Sequence, residues 1–99
     1  MAELLDEIAA LLDGSEGDLE RIERTLTDGY ARALSLEAEG WRLEKQIARL
    51  AHEIADGDTV GKAKELSALT ARLDVNAGEL LALRRRLVEL RRHADAIRL

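Results

Sequence analysis

Ala55–Gly61 reads ADGDTVG, and the fold depends on whether this stretch is a bend between two helices. Two glycines, two aspartates and a threonine crowd into it, in a chain with no proline and only seven glycines. Gly57 suits the left-handed residue that follows a helix. Asp58 or Thr59 can cap the next helix by accepting a bond from a free backbone N–H.

The sequence on either side supports a bend. Upstream, apolar or small residues recur at Leu19, Ile22, Leu26, Gly29, Ala33, Leu36, Gly40, Leu43, Ile47, Leu50 and Ile54. The steps alternate three and four, which is the heptad seam of packed helices. Downstream the same alternation runs through Leu66, Leu69, Leu73, Asn76, Leu80, Leu83, Leu87, Leu90, Ala94 and Ile97. Reflecting the chain about Asp58 sets Leu50 against Leu66, Leu43 against Leu73, Leu36 against Leu80 and Leu26 against Leu90. The centre of that reflection falls where turn chemistry is written, and a short connection favours antiparallel neighbours.

The pattern therefore predicts one all-α domain over residues 1–99: a short helix over 2–12, a long helix over 18–56, a turn at 57–58 and a long helix over 59–98. The two long helices form a coiled-coil-like antiparallel helical hairpin. In the first helix, Leu4, Leu5, Ile8, Leu11 and Leu12 make the apolar stripe. Gly14 stops it, and Ser15 or Asp18 can cap the next helix.

The reflection also opposes small residues to large or polar ones: Gly40 to Asn76, Gly29 to Leu87, Ala33 to Leu83. Each glycine inside a helix costs about 1 kcal/mol against alanine, so the glycines imply close approach. A polar residue in a seam commonly fixes register. An alternative makes Asn76 a cap, with Glu79 three residues on, breaking the last helix near DVNAG. The heptad phase nevertheless continues across it.

Composition agrees with helices. Charged residues are 35%, aromatics 2%, and there is no phenylalanine. Cysteine is absent, which excludes disulfides, thiolate metal sites and thiol catalysis. The start, MAELLDEIAALLDG, is acidic and periodic rather than basic and apolar, unlike a secretory signal. No apolar run is long enough for a bilayer. A cytoplasmic protein with no membrane partner is expected.

The net charge of −5 conceals a gradient. Acids dominate residues 3–23, whereas Arg84, Arg85, Arg86, Arg91, Arg92 and Arg98 dominate the last helix. One end of the chain can attract the other. Across one flank of the seam, Glu23 is expected to face Arg91, and Tyr30 to face Arg84. Across the other, like charges meet: Glu53 with Glu65, Glu39 with Glu79, Arg32 with Arg86.

The first flank also carries Tyr30, Leu34, Trp41, Ala77, Leu81 and Val88, a second apolar face that a two-helix hairpin cannot bury. The short helix is expected to cover its end near Ile22, Tyr30 and Val88, its acids meeting Arg84, Arg91 and Arg92. It is too short to reach the rest. A second copy of the chain, or a helical protein partner, is the natural cover for Leu34, Trp41 and Leu81. Two such hairpins would make a four-helix core, with the glycines letting partner helices approach beside Trp41.

Chemistry is sparse. His52 and His93 are the only histidines and lie 41 residues apart, HEIAD lacks the second histidine of a zinc helix, and no nucleophile has an evident base. DGDTVG begins like a calcium loop, but Ser67 stands where its bidentate glutamate belongs. No cofactor, metal or catalytic residue is assigned. The expectation is a non-enzymatic, self-associating interaction or scaffold module using Tyr30, Leu34, Trp41, Leu81 and Val88. The weaker alternative is a nucleic-acid accessory that grips phosphates through the basic patch Arg84, Arg85, Arg91 and Arg92.

Overall fold

The computed structural model describes residues 1–14 and 19–98. Ser15 and Asp18, the candidate caps of the second helix, lie outside the described residues. The fold is all-α. Helix α1 spans Ala2–Asp13, α2 spans Leu19–Ala55 and α3 spans Lys62–Arg98. At 1.5 Å per residue the two long helices are each about 55 Å long, and the molecule measures 62 × 17 × 14 Å.

α2 and α3 lie side by side and run in opposite directions. Near one end Gly29 meets Leu87, in the middle Gly40 meets Asn76, and next to the turn Glu53 meets Lys62. Leu26, Ala33, Leu36, Leu43, Leu50, Leu69, Leu83, Leu87 and Leu90 are buried along this contact. Each is a position of the three–four alternation, so the periodic stripe is what the helices hide from water.

The turn is built by backbone geometry more than by side-chain caps. Asp58 N–H donates to Glu53 O at 3.1 Å and Gly57 N–H to Ile54 O at 3.0 Å. With Gly57 at φ 101, this is the Schellman closure of a helix. Gly61 is also left-handed, at φ 73, so the chain turns twice and α3 starts at Lys62, three residues later than the pattern suggests. The Asp58 carboxylate lies 3.2 Å from Lys62 Nζ, turned to the ammonium of the new helix.

α3 is unbroken through Asn76, which rules out the reading of that residue as a cap. Asn76 is buried, and its Nδ2 donates to the Leu36 carbonyl at 3.0 Å. That carbonyl lies one turn before Gly40. A Cβ on Gly40 would sit 2.7 Å from Asn76 Oδ1, so the missing side chain is what admits the amide. Likewise a Cβ on Gly29 would sit 2.3 Å from Leu87 Cδ2. Both glycines thus serve close approach between α2 and α3 of one chain, as the opposition of small to large or polar residues predicts.

α1 docks on the end far from the turn. Ile8 is fully buried in a cluster with Ile22, Leu26, Leu83, Leu87, Leu90 and Ala94, and Leu4, Leu5, Leu11 and Leu12 pack around it. Its polar anchors differ from the expected ones. Thr25 Oγ1 donates to Glu7 Oε1 at 3.2 Å, and Arg21 Nε lies 3.8 Å from the same oxygen. Thr25 is itself buried. It stands on the flank of the seam opposite Tyr30, so α1 covers that other flank and leaves Tyr30 and Val88 exposed. Arg84 and Arg91 meet Glu37 and Asp95 instead of acids from α1.

Candidate interaction face

The flank that α1 leaves open is built from residues one position past the seam, or one further turn out. On α2 these are Tyr30, Leu34, Glu37, Trp41 and Glu44; on α3 they are Ala77, Leu81, Arg84 and Val88. The helical repeat forces this grouping, because residues three and four apart share a face. Leu34 is 66% exposed, Trp41 62%, Leu81 52%, Val88 50% and Tyr30 42%. The chain's only tryptophan and only tyrosine are therefore both at the surface.

The surface here is grooved. One cleft of about 450 Å³ runs between Tyr30, Ala33 and Leu34 on α2 and Leu87 and Val88 on α3. A second, of about 510 Å³, lies between Gly40 and Trp41 on one side and Leu73, Asn76, Ala77 and Leu80 on the other. Glu37 lines both and pairs with Arg84 across the seam. The face thus has two apolar hollows and one ion pair between them. Lys45 Nζ lies 3.8 Å from the centre of the Trp41 ring; a cation over an exposed indole contributes roughly 0.5–1 kcal/mol and holds the ring in place.

The expected site residues fall into three sets. Tyr30, Leu34, Trp41, Leu81 and Val88 share this open flank. Gly29, Ala33, Gly40 and Asn76 are buried in the seam beneath it. Of the basic patch, Arg84 pairs with Glu37 and Arg91 lies 3.7 Å from Asp95. Arg85 and Arg92 are exposed and point away from the seam's buried positions, seven residues apart on the outer face of α3.

Two residues of the face escaped the reading of the sequence. Glu37 follows Tyr30 by seven residues and so repeats its position, which is the signal that was available. Lys45 is four residues beyond Trp41, the spacing at which helix side chains meet. The flank pairs are also displaced. Arg98 joins Glu23 where Arg91 was expected, and Arg84 joins Glu37 where Tyr30 was expected. Side chains lean toward the N-terminus of their own helix. In an antiparallel pair that lean brings together residues of higher number than the backbone register alone implies. On the opposite flank, Glu53 meets Lys62 at 2.6 Å in place of Glu65, and Arg86 pairs with Glu89 at 3.2 Å in place of facing Arg32. Arg32, Glu39, Arg72, Val75 and Glu79 line a shallow mixed-charge cleft there.

His52 Nε2 lies 3.7 Å from Asp56 Oδ2, both well exposed beside the turn. Among the described residues no three His, Cys, Asp or Glu side chains gather as a metal site. No helix among them is long and apolar enough to cross a membrane. Comparison with protein-family models, with curated proteins and with solved structures finds no match to the chain.

Proposed function

We propose that the chain is a non-enzymatic protein-interaction module, a coiled-coil-like helical hairpin that associates with a second copy of itself through the Tyr30–Trp41 flank. The observation that carries this reading is the exposure of five large apolar side chains on one flank, while the opposite flank receives α1. Burying a large apolar side chain contributes roughly 1.5–3 kcal/mol, and four of these five are at least half exposed, with Tyr30 at 42%. The patch runs about 16 Å along α2, which suits a compact interface with micromolar association better than a large obligate one.

Sedimentation equilibrium tests the reading. The native chain is expected to show a dimeric mass at tens of micromolar, and Trp41→Ala together with Leu81→Ala to shift it to the monomer. A monomeric mass for the native chain rejects self-association. The nucleic-acid reading is weaker, because Arg84 and Arg91 already have carboxylate partners and only Arg85 and Arg92 of that patch form no ion pair among the described residues. Salt separates the two. Phosphate contacts weaken steeply with ionic strength, whereas apolar association barely responds.

A further inference from the structure

We infer that the two copies are related by a two-fold axis parallel to their long helices, so that α2 of each lies on α3 of the other and Trp41 seats against the partner's Ala77. This rests on the open flank being the association surface and specifies how that surface is used.

The residues of the flank are divided unequally between its two helices. The bulk lies on α2, where Tyr30, Leu34 and Trp41 project. The space lies on α3 at the level of Trp41, where Ala77 lines the cleft of about 510 Å³. Charge is divided the same way, with Glu37 on α2 and Arg84 on α3. An interface between identical copies presents the same patch twice, so its symmetry decides which parts of the patch meet. A two-fold axis along the helices exchanges α2 with α3 at one level. Trp41 then meets the small Ala77, Leu34 meets Leu81, and Glu37 meets Arg84, twice over. Every neighbour in the resulting four-helix arrangement is antiparallel, which is the ordinary geometry of short-looped bundles.

The competing two-fold lies across the helices and sets α2 on α2 and α3 on α3. With its centre on the patch, Glu37 approaches its own copy, and Trp41 falls on Leu34 instead of a hollow. Like charges so placed oppose association. An open, repeating assembly needs a second, complementary surface elsewhere on the molecule. The opposite flank carries α1 at one end and Arg32, Glu39, Arg72 and Glu79 further along, which does not complement an apolar ridge.

The chain has no cysteine, so introduced thiols report proximity without interference. Leu34→Cys and Leu81→Cys are made in separate chains at exposed positions, where the fold tolerates them. They are mixed at about 100 µM, a concentration that favours a micromolar dimer, and then oxidised. The expected result is a mixed 34–81 disulfide well above the half that random pairing gives, with Glu37→Cys alone joining to itself slowly. A dimeric mass with no preference for the mixed product, or rapid self-joining of Glu37→Cys, overturns this arrangement while leaving association intact. A mass that keeps rising with concentration overturns it in favour of open assembly. A monomer throughout overturns both the arrangement and the reading beneath it.

Discussion

The two ends of the rod share one seam and bury it to different depths. At the end far from the turn, α1 closes the groove between α2 and α3, and Ile8, Ile22, Leu83, Leu90 and Ala94 lose essentially all contact with water. At the turn end only two helices meet. There the cluster is Leu43, Leu50 and Leu69, with Ile47, Ile54, Leu66 and Leu73 only partly covered. The difference shows what a third helix of 12 residues does: it converts a stripe that two helices can only half cover into a core. Local stability follows buried apolar contact, so the turn end should open first although its helices are as regular.

The largest effect should come from cutting each end in the same way. Leu83→Ala, at a fully buried site, is expected to cost about 3–4 kcal/mol, and Leu50→Ala about 2 kcal/mol, because a gap beside solvent relaxes more readily than an enclosed one. Urea unfolding measures both, and equal costs would show that α1 does not deepen the core. Next comes α1 itself. Ile8→Ala should cost roughly 2–3 kcal/mol and speed amide hydrogen exchange near residues 22–26 and 83–94. Exchange at 43–54 should change little; uniform acceleration would mean that the rod melts as one unit.

The glycines sharpen the comparison within the middle of the rod. Gly40→Ala forces a Cβ against the Asn76 amide and is expected to lower stability by about 1–2 kcal/mol despite the better helix propensity of alanine. At Gly78 nothing lies within 4 Å of an added Cβ, so Gly78→Ala should raise stability by roughly 0.5–1 kcal/mol. Thermal unfolding of the two variants should move in opposite directions, and a rise in both would show that Asn76 yields to the new methyl without loss.

The smallest effect belongs to the turn. The Lys62 ammonium is held above its ordinary range, chiefly by its hydrogen bond to Glu53 and then by Asp58. A raised pKa in the folded state adds stability below the unfolded value of about 10.4, and that stability is lost as pH climbs through the higher folded value. Between pH 9 and 12 the native chain should therefore lose slightly more in melting temperature than Lys62→Met. Because the group is solvent-screened, the gap should be small. Identical profiles would remove the pair from the stability of the turn.

What was readable in advance followed from periodicity. The alternating steps of three and four placed Gly29 opposite Leu87 and Gly40 opposite Asn76, and the structure brings those pairs into contact. Residues off the seam were harder. Glu23 reaches Arg98 rather than Arg91 because of side-chain lean, which a register count ignores. The side on which α1 docks was not written in its stripe, since Leu4, Ile8 and Leu11 would fit either flank. Glu7 reaching Thr25 and Arg21 belongs to one flank only, and a buried threonine at position 25 does not stand out in the sequence. The start of α3 was misplaced because the turn was confined to residues 57–58 and Gly61 was taken into the helix, whereas its left-handed conformation delays the helix to Lys62.

The exposure of Trp41 has a practical consequence at the bench. With the sole indole outside the chain's own core, its emission should hardly change when the helices of a dilute, undocked chain melt, and a fluorescence trace would register that unfolding poorly. The same indole should shift to the blue when something dry covers it. The spectrometer therefore becomes a detector of docking, and melting must be followed through the far-ultraviolet signal of the backbone.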